Sequence, residues 1–326
     1  MPKTQFIGTG SHLPDQVLTN ADIEKLCDTT DEWIQKRTGI KQRHAAPDGV
    51  GSSDLGTPAA RKALEQAGVE AKDVDAVICC TVTPDQVAPA TAIIIQANIG
   101  ADNACAFDLN AACSGFLYGI ASANGMIETG LYRTVLLIGA ETTTRLLNWA
   151  NRDTAVLFAD GAGAVVLRAS DTEGGVLSMH LGADGRDQSV LSLPEGGFKF
   201  RPTPEHLAAN PFHILMNGPE LFKRAVMKFE ESVRIVLEKA GLVVDDIALF
   251  VPHQANIRII DAACRKLGLG MDRVAINLDR VGNTVAASIP IALDEAHRAG
   301  RIKRGDYVLF AGFGAGLTWG AAVVRW

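Results

Sequence analysis

Arg61-Lys-Ala-Leu-Glu-Gln-Ala-Gly68 leading to Asp73-Val-Asp-Ala-Val-Ile78, and Arg234-Ile-Val-Leu-Glu-Lys-Ala-Gly241 leading to Asp246-Ile-Ala-Leu-Phe-Val251, are two copies of one pattern 173 residues apart. Each copy reads as an amphipathic helix closed by a glycine, a short acidic turn and a buried strand. The register extends further: at the same offset Gly139 of Val-Leu-Leu-Ile-Gly-Ala falls on Gly312 of Val-Leu-Phe-Ala-Gly-Phe, and Asn110 falls on Asn283. A constant offset over this length points to duplication rather than a chance meeting of generic helix–strand units. Each half alternates helical patterns with short β-branched runs, which predicts an α/β fold of βαβ construction with mainly parallel sheets. A pseudo-twofold axis between the halves would bring corresponding turns together. His253 sits one residue after the position matching Cys79, and Asn283 three before the position matching Cys113.

The chain has 326 residues, 47% of them apolar, enough for a large core or about two domains. A net charge of −6 gives no global attraction to nucleic acid or an anionic membrane. The N-terminus lacks a basic region, apolar run and cleavage site, so no signal peptide is expected. Leu109 to Ile127 carries no charge, yet its Asn, Ser, Gly and Ala content suits a helix buried within protein better than one facing lipid. Six cysteines show neither C-x-x-C spacing nor a histidine at metal-ligand distance. Neither a disulfide framework nor a metal site follows, and a reducing cytoplasm is expected.

Three contexts carry chemistry. Ala-Phe-Asp-Leu-Asn-Ala-Ala-Cys113-Ser-Gly runs from a strand-like stretch into an uncharged helix, and a thiol at a helix N-terminus is expected to have a lowered pKa. His253 lies in Val-Pro-His-Gln-Ala-Asn, and Asn283 in Arg-Val-Gly-Asn-Thr. Singly, each is ordinarily a packed or turn residue; together they suggest a Cys–His–Asn trio. Asp160-Gly-Ala-Gly and Gly312-Phe-Gly-Ala-Gly-Leu-Thr-Trp-Gly both run on into strand patterns and lack Gly-Lys-Ser/Thr, which excludes dinucleotide and P-loop sites. The second loop suits either a tight turn or backbone N–H groups brought close to a bound carbonyl. The proline-rich stretch from Asp184 to Phe212 reads as an excursion over the surface.

Asn-Ala-Ala-Cys-Ser-Gly-Phe, Val-Pro-His-Gln-Ala-Asn-Ile-Arg-Ile-Ile, Asp-Arg-Val-Gly-Asn-Thr-Val-Ala-Ala-Ser-Ile-Pro and Gly-Phe-Gly-Ala-Gly-Leu-Thr-Trp-Gly closely resemble the β-ketoacyl-acyl-carrier-protein synthases III of the thiolase superfamily. The resemblance covers nearly the whole chain, from Gly8-Thr-Gly-Ser-His-Leu-Pro through Asp31-Glu-Trp-Ile to the final Arg-Trp. It implies a five-layered α-β-α-β-α sandwich with a first half, 1–172, carrying the cysteine and a second, 173–326, carrying the histidine and asparagine. It also implies an acyltransferase that initiates fatty acid synthesis in the cytoplasm as a homodimer. Cys113 would take the acyl group from acyl-CoA, with the N–H groups of Cys113 and Ala315 as oxyanion hole. His253 and Asn283 would then stabilise the enolate left by decarboxylation of malonyl-acyl-carrier protein. No metal or cofactor is implied, since acyl-CoA is a substrate.

The same resemblance nominates Thr29, Trp33, Arg37, Arg152, Gly218 and Asn256 for CoA, Trp33 and Arg152 sandwiching the adenine. Phe158 and Phe313 are implied at the acyl end, with Ala88 standing where acetyl-selective members often carry a phenylalanine that reaches across the homodimer. Lys223, Arg224, Arg258, Arg265, Lys266 and Arg273 cluster around the proposed tunnel motifs and suit docking of an acidic carrier protein. Two other readings are weighed. A related acyltransferase of secondary metabolism stays open. A papain-type Cys–His–Asn hydrolase is disfavoured by Ala-Ala-Cys-Ser-Gly and by the repeat.

Overall fold

The computed structural model describes residues 2–194, 199, 203–205 and 213–326. The first half runs β1 (Lys3–His12), α1 (Asp31–Thr38), α2 (Ser52–Ala67), β2 (Ala76–Cys80), α3 (Thr91–Ile99), β3 (Cys105–Leu109), α4 (Gly115–Glu128), β4 (Thr134–Thr142) and β5 (Asp160–Ser170). The second runs β6 (Gly175–Ala183), α5 (Gly218–Ala240), β7 (Ile247–Pro252), α6 (Ile257–Leu267), α7 (Ser288–Arg298), β8 (Tyr307–Gly314) and β9 (Thr318–Arg325). The break between residues 172 and 173 lies in the turn joining β5 to β6.

The repeat is a structural one. Helices α2 and α5 end on Gly68 and Gly241, both left-handed with φ of 63° and 68°, a conformation that costs glycine little. One sheet has the order β1-β5-β4-β2-β3 and the other β7-β8-β9-β6, so that β2, β4, β5 and β1 correspond to β7, β8, β9 and β6. A parallel bridge from Phe250 to Val274 stands where β3 pairs with β2.

The sheets are mixed rather than mainly parallel. Between the strands of the two sheets, among the described residues, β2 with β3, β2 with β4, and β7 with β8 pair in parallel, and the other strand pairs are antiparallel. Local chemistry explains the reversals. The Asp160 carboxylate accepts hydrogen bonds from Thr144 N and Thr144 Oγ1 (2.8 and 2.6 Å), which starts β5 beside the end of β4. Between β8 and β9 only Ala315–Leu317 intervene, too few residues for a crossover. Both glycine-rich stretches are strands and hairpin, as their context predicts.

Alternation along the strands sorts the core into layers. In β4, Val135 and Leu137 face a central layer while Leu136 and Ile138 face outward. The central layer is α4 and α7, whose Phe116, Ile120, Ile127, Ile289 and Leu293 pack between both sheets. Helices α2 and α3 cover the outer face of the first sheet, and α5 and α6 that of the second. The result is the five-layered α-β-α-β-α sandwich. It also explains why 109–127 carries no charge: α4 is enclosed by protein. No helix among the described residues is long and apolar enough to cross a membrane.

The stretch 184–212 differs from its expectation in part. Gly185–Val190 forms a short helical turn, and Leu191–Ser192 pairs with Leu215–Met216. Val190 is buried in the core beneath α5, with Ala225, Val226 and Phe229 in the same cluster, while Leu191 is buried as a wall of both cavities. Residues 195–198, 200–202 and 206–212, with Pro202 and Pro211, lie outside the described residues.

At the middle of the sandwich two matching turns meet, Ala112–Ser114 and Val285–Ala287. Ala112 and Val285, again 173 residues apart, are the non-glycine residues with positive φ among those described (48° and 50°). A Cβ on Gly139 would stand 2.5 Å from Ala286 O, whereas one on Gly312 would meet the Leu117 Cδ1 methyl at 3.1 Å. Gly139→Ala should therefore lower stability by about 1–3 kcal/mol through overpacking, and Gly312→Ala by less, because a methyl can swing aside and a backbone carbonyl cannot. Urea unfolding of both variants checks this; equal losses would contradict it.

Candidate active site

Strand β3 stops at Leu109, the chain reverses through Ala112, and Cys113 sits in the turn that opens α4, 5% exposed. Gly314 of β8 makes room for it: a Cβ there would lie 2.7 Å from Cys113 Cβ and 2.8 Å from Cys113 N. The N–H groups of Cys113 and Ala315 both donate toward the sulfur. The loop at 312–316 is thus a hairpin turn and an N–H donor at once. The expected lowering of the thiol pKa is not found. Burial pushes Cys113 up to about 12, with the nearby Glu141 carboxylate adding to the rise, and the two N–H groups offset only part of it. The helix terminus lowers a pKa where water still reaches the thiol; here desolvation outweighs it.

His253 follows the end of β7 and is held by its N–H to Ala311 O (2.8 Å). Its Nδ1 lies 2.6 Å from Ser288 Oγ, and burial alone drives its pKa down to about 3, so the ring is neutral. Asn283 is bridged to Phe158 in parallel fashion, with Asn283 N to Leu157 O at 3.0 Å. Its Oδ1 accepts the Val285 N–H (3.0 Å), which leaves Nδ2 as the donor end.

Cys113, His253 and Asn283 line one cavity of ≈ 550 Å³ that reaches the surface past Trp33, Arg37 and Arg258. A second, of ≈ 690 Å³, lies beyond Cys113 and is lined by Leu146, Leu193, Ile214 and Ala315 among others. The two share Cys113, Phe158 and Leu191 as walls. Cys113 therefore stands at their junction.

The other nominated residues divide. Thr30 caps α1 through Trp33 N (3.1 Å) and so sets Trp33 and Arg37 one turn apart at the mouth. Gly218 and Asn256 line the outer cavity. Asn256 also works structurally, accepting from Arg258 N (2.9 Å) and donating to Arg37 O (3.0 Å). Thr29 lines neither cavity, and its buried Oγ1 has no hydrogen-bond partner among the described residues. The Arg152 guanidinium lies 4.9 Å from the Trp33 ring, tied to Asp28 O, and leaves no slot for an adenine between them. Cation–π attraction draws the guanidinium directly against the indole. Phe158 lines both cavities, but Phe313 lines only the outer one. Alternation along β8 turns Gly312 and Gly314 toward Cys113 and Phe313 the other way. Ala88 is exposed and lines neither.

The basic cluster is smaller than its composition. Arg224 pairs with Asp187 and Glu220, Arg265 with Asp261 (2.7 Å), and Lys266 with Glu230 (2.8 Å). Arg273 is bound to three carbonyls and lies 3.5 Å from Asp245. Charges already paired offer little to a partner. Arg37, Lys223 and Arg258 have no carboxylate partner among the described residues, and Arg258 lies 5.7 Å over the Phe222 ring.

Two neighbours of the trio were missed. Ser288 stood inside a quoted motif but carried no periodic signal. Glu141 was legible as the one carboxylate in the buried run Thr134–Thr142. It accepts from Val82 N (3.1 Å), Thr81 Oγ1 (3.2 Å), Thr83 Oγ1 (2.7 Å) and Ala286 N (3.4 Å), and burial lifts its pKa to about 7.

Residues 107–185 match the family model for 3-oxoacyl-[acyl-carrier-protein] synthase III, and residues 237–326 that for its C-terminal part. A β-ketoacyl-[acyl-carrier-protein] synthase III of Caldanaerobacter subterraneus subsp. tengcongensis is 51% identical over 98% of this chain and 97% of its own. Among solved structures, the 3-oxoacyl-[acyl-carrier-protein] synthase III of Aquifex aeolicus superposes with a TM-score of 0.93 at 44% identity, covering 99% of this chain and all of that one. A priming β-ketosynthase of the R1128 polyketide pathway superposes with a TM-score of 0.92 at 35% identity, over 99% and 97% of the two chains. By these full-length matches and by its site, the chain belongs to the β-ketoacyl-[acyl-carrier-protein] synthase III family.

Proposed function

We propose that this enzyme condenses an acyl-CoA starter with malonyl-acyl-carrier protein to give a β-ketoacyl-carrier protein and CO₂, the first condensation of fatty acid synthesis. The observation that carries the reading is the convergence of Cys113, His253 and Asn283 on one cavity, with a second chamber behind the sulfur. Cys113 attacks the thioester carbonyl, the bond to CoA sulfur breaks, and CoA leaves with the proton the thiol gave up. The oxyanion forms beside the N–H groups of Cys113 and Ala315. Malonyl-carrier protein then enters the emptied outer chamber. As its carbon–carboxylate bond breaks, charge develops on the thioester oxygen, toward which His253 and Asn283 donate. The carbanion attacks the acyl carbonyl and expels Cys113 as a thiolate, which takes one proton from solvent to restore the thiol. Neutral donors suffice, so the proposal uses no metal or cofactor.

The partner readings follow from the surface. Arg258 and Arg37 line the mouth of the outer cavity and, like Lys223 beside Phe222, have no carboxylate partner among the described residues, which suits them to an acidic carrier protein. A homodimer is supported by β3, an edge strand of the first sheet, beside α3 and its exposed Ile93 and by Val87, 75% exposed. An unpaired strand edge flanked by apolar surface calls for a cover. Six unpaired cysteines suit the cytoplasm.

Mass spectrometry after incubation with acyl-CoA alone should find the acyl group on Cys113, and none in Cys113→Ser. Asn283→Ala should keep this acylation but slow malonyl decarboxylation by about 100-fold, the usual loss for one oxyanion donor. Acyl on another cysteine, or unimpaired decarboxylation, would refute the assignment.

The depressed pKa of His253 has a sign that can be checked. Its unfolded value is near 6.5 and its folded value about 3, so the stability it contributes is full above 6.5 and is lost as pH falls toward 3. Glu141 runs oppositely: its contribution is full below 4.5 and is lost as pH rises through about 7. Decarboxylation should show no limb at the ordinary imidazole pKa. A limb near 6.5 that persists in Glu141→Gln would mean a titrating histidine and overturn the neutral-donor role.

A chamber of ≈ 690 Å³ behind Cys113 favours starters longer than acetyl. Each added CH₂ buried there contributes ~0.8 kcal/mol. In a competition series from acetyl- to dodecanoyl-CoA, wild type should prefer chains beyond acetyl, and Ala88→Phe should shift preference toward short ones if Ala88 faces a partner subunit's chamber. A strict acetyl preference unchanged by the substitution would remove both readings.

A further inference from the structure

His253 has two ring nitrogens, and enolate stabilisation works only if the proton sits on the one facing the substrate. Nothing in the trio itself decides which. Ser288 does. It is the first residue of α7 and 1% exposed, so no bulk water competes for its hydroxyl. Its Oγ accepts the backbone N–H of Gln254 at 3.3 Å and lies 2.6 Å from His253 Nδ1. A serine hydroxyl has one proton to give. With Gln254 N–H supplying a donor to the oxygen, the acceptor within reach of that proton among the described residues is His253 Nδ1. Gln254 itself is locked: its Nε2 donates to Pro252 O (2.8 Å) and Ala275 O (3.0 Å), and its Oε1 accepts Asn277 N (3.3 Å).

We propose that Ser288 is a positioning residue that donates to His253 Nδ1 and thereby holds the imidazole as the Nε2–H tautomer, the form that can donate to the malonyl thioester. The inference deepens the reaction proposed above and rests on it for its consequence, though not for its geometry. The reverse arrangement, Nδ1–H donating to Ser288, would place two donors on one hydroxyl and leave its proton without a partner in a buried site, which is the costlier arrangement. It would also present a bare Nε2 to the substrate, a base rather than a donor. Ser288 thus selects which of two chemistries His253 performs.

Nitrogen-15 NMR of the full-length protein labelled at histidine, with His253→Gln to assign the signal, should show Nε2 protonated and Nδ1 bare in the wild type. A protonated Nδ1 overturns the proposal. Ser288→Ala should mix or invert the tautomers and lower kcat for malonyl-carrier-protein decarboxylation by roughly 10- to 100-fold, the range for losing a partner that orients an imidazole. Acylation of Cys113 by acyl-CoA should stay within about twofold, because only the second half-reaction uses the donor. Ser288→Thr, which keeps the hydroxyl, should restore part of the rate. Equal loss in both half-reactions, or no loss in either, would mark Ser288 as structural only. A wild-type enzyme that fails to decarboxylate malonyl-carrier protein would remove the condensing reading, while the NMR result would still decide the tautomer.

Discussion

Backbone meets backbone at the centre of this protein, where side chains would ordinarily stand. Ala286 O occupies the space a Cβ on Gly139 would need, and Cys113 occupies that of a Cβ on Gly314. Each sheet has given up a side chain on its inner face so that a turn of the central layer can press against it. The turn pressed on the first sheet belongs to the second half, and the turn on the second sheet to the first. Neither half can complete its own interior, which is why the nucleophile from one and the donors from the other come to a common cavity.

Burial then sets the charge state of everything in that cavity. The same exclusion of water raises Cys113 and Glu141 and lowers His253, in each case favouring the neutral form. A charged ring would be a better donor in water. In a dry site a neutral ring with a fixed tautomer donates without the cost of desolvating an ion. Electrostatic stabilisation is therefore left to appear only when charge develops on a bound thioester, which is where it lowers a barrier.

Much of the architecture was legible because duplication leaves a constant offset, and the offset carried Gly68 to Gly241 and Gly139 to Gly312 as structural equivalents. The trio was legible because each member lies in a distinctive local motif. What stayed hidden depends on groups brought together only by folding. Strand direction turned on Asp160 gripping Thr144, not on periodicity. The reach of the basic cluster turned on Glu230, Asp187 and Asp261, which quench Lys266, Arg224 and Arg265. The thiol pKa turned on how much water the second sheet excludes, which no helix-terminus argument contains. Phe313 faced away from its expected chamber because a strand's alternation, once glycines are assigned to one face, leaves it no choice.

The junction at Cys113 has a kinetic side. On the proposed chemistry both substrates bring a pantetheine arm through one doorway, past Trp33 and Arg258, while the acyl group waits in the rear chamber. The first product must vacate that corridor before the second substrate can use it. Each substrate is therefore a dead-end inhibitor of the step that belongs to the other, and the ratio of acyl-CoA to malonyl-carrier protein governs throughput as much as either concentration. The corridor acts as a turnstile, making flux sensitive to the balance of the two pools.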